Sequence, residues 1–225
     1  MQCNPTHLRY GLGAQDILFK NIIFKYYFLL GQTLPTYRFG AGPYQPALDR
    51  AVELLNQGAW VHIFPEARVH QLPNHEMRYF KWGVARLLLE PERHPAVVPI
   101  FFTGMEEIMD EDRRFPRLLP RLWKKVQLRF GECVESGWTD LRKEWAALRK
   151  GHSDMPMSQL AETPEGRNLR VSATARARNL VVGLRRQMSL PEENANAALV
   201  ETYKTPDRQR EGRQTGGASE KDSLI

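Results

Sequence analysis

With 225 residues, 42% of them hydrophobic, the chain can bury the core of one domain of about 150 residues with segments to spare. Its longest apolar run, the seven-residue AVVPIFF at 96–102, falls far short of the roughly 20 residues that a spanning helix needs, and the N-terminal MQCNPTHLRYGLG carries neither a secretory h-region nor an Arg/Ser-rich transit pattern. Cys3 and Cys133 are too few for a disulfide framework or a metal site, so both are read as free thiols, and the net charge of +6 is uneven, with +4 of it on residues 67–150.

In chain order, ILFKNIIFKYYFLL (17–30) is apolar and aromatic, broken on one side by Lys20, Asn21 and Lys25, and predicts an amphipathic element with a basic edge. PYQPALDRAVELLNQG places Leu48, Ala51, Val52 and Leu55 at helical spacing, with Pro46 suited to a first turn and Gly58 to a C-terminal cap. AWVHIF then reads as a short strand, HEMRYFKWGVARLLLE as a helix and AVVPIFF as a second, buried strand. Strands alternating with helices predict an α/β domain with parallel pairs over residues 1–150. The segment 113–131, RRFPRLLPRLWKKVQLRFG, has seven Lys/Arg and no acidic residue, interleaved with large apolar side chains. It suits an anionic bilayer with aromatics at headgroup level. Nucleic-acid phosphates would also attract it, but no nucleic-acid motif accompanies it, and a solvated basic face on a core helix is the third option. Residues 151–167 are turn formers and small polar residues, read as a linker; 168–204 could form a basic helical extension, and 205–225 are expected to be disordered.

The stretch AWVHIFPEARVH (59–70) carries the sharpest functional signal. In an open α/β sheet ligands collect at the carboxyl ends of strands. Proline can neither continue a ladder nor follow a helical residue comfortably, so Phe64-Pro65 fixes the chain's exit and sets Glu66 and Arg68 just beyond the strand. A solvated surface turn explains the same residues without function. The histidines give no metal pattern, because His70 and His75 lack the i, i+4 helical spacing of a ligand pair. His62 reads as a packed strand residue.

FPEA with a basic residue two positions after the glutamate resembles the Phe-Pro-Glu-Gly block of the glycerolipid acyltransferases. LRYGLGAQDILF, LPTYRFGAGPYQPALDRAVELLNQGAWVHIFPEARV, RYFKWGVARLL and AVVPIFFTGME extend the likeness, in order, over about residues 8–150, and together are similar to the mitochondrial phospholipid transacylases of that superfamily. The resemblance implies a mixed sheet flanked by helices, transfer of an acyl chain between a phospholipid and a lysophospholipid, cardiolipin among the substrates, no cofactor or metal, and peripheral attachment to a mitochondrial membrane, with anionic lipid preferred and no nucleic-acid partner. It places Arg38 in a phosphate-gripping block, where a planar fork of donors matches phosphate geometry. Gly40 would let backbone approach the ligand, Glu66 would orient acceptor hydroxyls, and Arg68 would add positive charge near the headgroup. Phe64, Pro65 and Pro99 would shape the site.

Two departures stand out. Ala67 occupies the glycine position of the family block, where a left-handed backbone costs an L-residue about 1 kcal/mol. The family's catalytic His-x-x-x-x-Asp pair, a general base with its orienting carboxylate, is absent: five positions after the six histidines stand Leu12, Ala67, His75, Phe80, Pro99 and Met157. In the family that pair lies upstream of LRYGLGAQDI, so the chain is expected to begin just after it. The rival reading is a non-catalytic membrane-binding protein of the same fold.

Overall fold

A computed structural model describes residues 8–38, 42–68, 70–110 and 119–204. Its centre is a three-stranded parallel sheet in the order β2-β1-β3, formed by β1 (Tyr10–Ala14), β2 (Thr33–Thr36) and β3 (Val61–His62). Two short helices, α1 (Gln15–Leu18) and α2 (Ile22–Leu30), connect β1 to β2, and α3 (Pro46–Asn56) connects β2 to β3. Both connections are crossovers, as parallel pairing requires. Helix α3 forms as its sequence predicts: Pro46 sits in the first turn, and past the last turn Gly58 takes φ +79°, where an L-residue would be strained. Its Leu48 and Ala51 pack on Leu12, Leu34, Val61 and Ile63 of the sheet layer.

Beyond the sheet the prediction and the structure diverge. HEMRYFKWGVARLLLE is α-helical only as α4 (Gly83–Leu89), and residues 76–82 form no regular element, with a turn at Trp82. The backbone there is claimed by side chains. The Met77 and Arg78 amides donate to Glu193 and Glu66, and their carbonyls accept from the Arg178 guanidinium. A segment whose donors and acceptors are satisfied this way gains nothing from helical bonds. AVVPIFF yields β4 (Ile100–Thr103), but its partner is β5 (Gln127–Phe130), antiparallel and in a separate two-stranded sheet. This places the end of the basic segment in a strand. Between the two, α5 (Met105–Ile108) starts at Gly104, whose φ of +92° and whose Cβ position, 2.2 Å from the Lys125 carbonyl oxygen, leave room for glycine alone.

The stretch expected to be a linker is packed. After α6 (Thr139–Gly151) come α7 (Met157–Leu160) and the 24-residue α8 (Pro164–Gln187), and Leu160 and Ala161 are fully buried. The turn formers Thr163-Pro164-Glu165 are a helix start: the Thr163 hydroxyl accepts the Gly166 N–H, and Pro164 occupies the first turn. The basic helix expected after residue 168 forms, as α8, but it is packed into the domain and is not an appendage. Leu169, Ala173 and Ala177 join Val84, Leu88, Trp138 and Trp145 in the main core, while Arg170, Arg178 and Arg185 are buried. The tail 205–225 lies outside the described residues.

Candidate functional site

Parallel strands all point their carboxyl ends the same way, so the three loops leaving this sheet converge on one edge. Gln15 and Asp16 follow the central strand β1 directly, Arg38 follows β2 by two residues, and Glu66 follows β3 by four. The Arg38 guanidinium donates through Nε to Asp16 Oδ1 at 2.9 Å and through Nη2 to Asp16 Oδ2. That hydrogen-bonded pairing holds the Asp16 carboxyl below its ordinary range, against a smaller opposing effect of burial. Around the pair lies a cavity of about 410 Å³ walled by Gln15, Asp16, Phe19, Lys20, Tyr37 and Arg38. Gln15 presents a buried Oε1 with no hydrogen-bond partner among the described residues. Gly40 lies outside the described residues; Gly42, at the far side of that gap, has φ +62°.

Glu66 is fixed by its partners rather than by proline alone. Its Oε2 accepts the Arg78 backbone N–H at 2.6 Å and meets His70 Nε2 at 2.5 Å, while no bond engages Oε1 among the described residues. The amide at Arg78 is itself anchored from α8, where Arg178 grips the Met77 and Arg78 carbonyls and Arg185 those of Asn74 and His75. These two arginines and Glu193, which pairs with Arg178 at 2.9 Å, escaped the sequence reading. The apolar spacing of α8 marks a core helix, but nothing local says that arginines on it turn inward.

Phe64 is 55% exposed; its ring stacks at a tilt on His62 (4.8 Å) and meets Phe102 of β4 edge-on (6.4 Å). Burial first, and the Arg9 charge second, lower the His62 pKa, as expected for a packed histidine. The Pro65 carbonyl accepts the Lys81 N–H at 2.7 Å, and Arg68 sits half-buried in the bend that follows. Pro99 is buried, with its carbonyl accepting the Gly131 N–H at the far end of the β4–β5 pair; the residue of this region that touches the motif is Phe102.

Ala67 adopts φ +53°, the left-handed conformation that the family's glycine serves. Relieving it recovers about 1–2 kcal/mol, and the added freedom of glycine in the unfolded chain costs about 0.4–1 kcal/mol. Ala67→Gly should therefore stabilise the fold by roughly 1 kcal/mol, seen as a rise of about 2–4 °C in a thermal melt.

Residues 4–103 match the Acyltransferase family model. Over 97% of its length the chain is 32% identical to tafazzin of Saccharomyces cerevisiae, 68% of which it covers. The chain belongs to the tafazzin family of acyltransferases. Other tafazzin-family relatives align over less of the chain: the Drosophila melanogaster tafazzin is 33% identical over 59% of this chain and 34% of its own. N-acylphosphatidylethanolamine synthase of Arabidopsis thaliana is 35% identical over 71% of this chain and 56% of its own. No solved structure gives a significant match. The matched family model ends at residue 103, so α8, which anchors the Glu66 loop, lies outside it, whereas the yeast alignment spans nearly the whole chain.

Proposed function

We propose that this chain carries the acceptor-binding machinery of a phospholipid–lysophospholipid transacylase working at a membrane surface. The observation that carries the proposal is that Arg38 and Glu66 both follow the carboxyl end of one parallel sheet, with Arg38 in the wall of a cavity that continues into an apolar helix. Arg38 would take the phosphate of the acceptor, and Glu66, with Oε1 unengaged, would accept a hydrogen bond from its hydroxyl. That hydroxyl attacks the ester carbonyl carbon of the donor phospholipid; a new ester forms and the donor departs as a lysophospholipid. Cardiolipin as substrate and a mitochondrial membrane as the location follow from the likeness to tafazzin alone.

Helix α2 supports the membrane surface. It buries no residue: Ile22, Ile23, Tyr27 and Leu30 are 67%, 76%, 69% and 82% exposed. Apart from the basic edge at Lys25 its exposed surface is apolar, and such a helix is stable only when something apolar covers it. Its Phe28 ring packs 6.1 Å from Phe19 in the cavity wall, so immersing α2 in the headgroup region brings the cavity to the lipid. Among the described residues no helix is long and apolar enough to cross a bilayer. Trp123, 99% exposed beside Lys124 and Lys125, adds an aromatic and basic contact.

Flotation with vesicles tests this. Binding should strengthen with anionic lipid and weaken with salt, since surface charges are screened within about 10 Å at 0.1 M, and Ile23→Asp with Leu30→Asp should abolish it. Equal binding to neutral vesicles, or retention after alkaline carbonate, counts against it. Arg38→Ala should weaken capture of a phosphate-bearing acceptor without changing flotation. A binding-only role is the alternative, and an acyl-transfer assay separates the two.

A further inference from the structure

Arg38 is already paired. Its fork is held by Asp16, two residues past the end of the central strand, and the Lys20 charge also acts on that carboxylate. Three charged side chains line the cavity, Asp16, Lys20 and Arg38, giving it one net positive charge. The Asp16 side chain is 47% exposed and that of Arg38 26%, so the pair can part without opening a core. We propose that Asp16 is a specificity-determining residue: a resident anion that keeps the cavity matched to a phosphate diester, with one negative charge, and mismatched to a phosphate monoester, with nearly two.

The inference rests on Arg38 as the phosphate grip and adds what that grip selects. A phosphate entering the cavity takes over Arg38 donors now satisfied by Asp16, and the displaced carboxylate stays close, with Lys20 as its remaining counter-charge. Repulsion between that carboxylate and the ligand scales with the ligand's charge, so the penalty is about twice as large for a monoester dianion as for a diester; the cations' attraction doubles too, but the cost of desolvating the phosphate grows with the square of its charge, and with the carboxylate present the balance falls to the diester. Every phospholipid or lysophospholipid with a substituted headgroup is a diester; glycerol phosphate and phosphatidate-type acceptors are monoesters. Gln15 Oε1, buried in the same wall and unpaired among the described residues, offers an acceptor for a hydroxyl of the glycerol unit, which both classes share. Discrimination therefore falls to charge.

Soluble probes isolate this from membrane binding. Binding of sn-glycero-3-phosphocholine, a diester, and sn-glycerol 3-phosphate, a monoester, is measured by titration calorimetry at low ionic strength and pH 7.5 for the 225-residue chain. The wild type should prefer the diester. Asp16→Asn should tighten the monoester about tenfold or more and the diester only a few-fold, erasing or reversing the preference. Lys20→Ala, which leaves the Asp16–Arg38 pair intact, should shift both affinities the opposite way, again more for the monoester. Equal changes for the two probes, or weakening of both by Asp16→Asn in a chain that still melts like wild type, would overturn the proposal by making Asp16 a mere brace for Arg38. If Asp16→Asn fails to fold, Lys20→Ala decides alone. Failure of the underlying reading looks different: Arg38→Ala would then leave binding of both probes unchanged, or the wild type would bind neither.

Discussion

Assayed as these 225 residues, with a labelled acyl chain moving from phospholipid to lysophospholipid, the protein is expected to turn over 10²- to 10⁴-fold more slowly than a chimera in which a His-x-x-x-x-Asp segment is grafted ahead of Leu8. That span is what a positioned general acid–base group contributes. Without it the acceptor hydroxyl attacks as a neutral alcohol, and the departing lysophospholipid oxygen has no acid to protonate it. Glu66 does not fill the vacancy, because its Oε2 is committed to the Arg78 amide and His70, an arrangement that orients the carboxylate. Turnover by the ungrafted chain equal to that of the chimera would refute this expectation and send the search for the base to His70. That residue already shows half of a catalytic pair: Nε2 meets a carboxylate, and Nδ1 is buried without a partner among the described residues.

The second large effect lies on α8. Arg178→Met should destabilise the fold by about 3–5 kcal/mol, the usual result of removing one member of a buried ion pair, and lower the melting midpoint by roughly 10 °C for a chain of this size. The substitution leaves the Glu193 carboxylate, 12% exposed, without its cation, and strips a donor from each of the Met77 and Arg78 carbonyls. Arg167→Met on the same helix is the control. Its ion pair with Glu162 is more than half exposed on both sides, and such pairs are worth about 0–1 kcal/mol. Because the Arg78 amide holds Glu66, Arg178→Met should also weaken hydroxyl-bearing acceptors under conditions where the variant is still folded. Equal melts for the two variants would mean that the loop 74–78 stands without α8.

What the sequence determined by itself is local and short in range. Helix α3 was legible because Pro46, the spacing of Leu48, Ala51 and Leu55, and Gly58 all report on one turn or one face. The exit at Phe64-Pro65 was legible because proline acts on its own bond and the one before it, and the left-handed strain at Ala67 because a glycine is expected there. The candidate site residues were legible through likeness to a family, which compresses three-dimensional information into motif order. What only the tertiary structure decided depends on partners distant in sequence. Residues 76–82 follow helix-like periodicity yet stay out of the helix, since Glu193 and Arg178, 100 to 116 positions away, take the backbone bonds of Met77 and Arg78. The arginines of α8 look like a solvated face until Met77, Arg78 and Asn74 supply carbonyls to bury them against. Asp16 and Arg38 lie 22 residues apart, and no spacing rule joins them; they meet because β1 and β2 run parallel and end at one edge. Composition, periodicity and caps are properties of a segment, whereas hydrogen-bond satisfaction and charge pairing are properties of the packed whole.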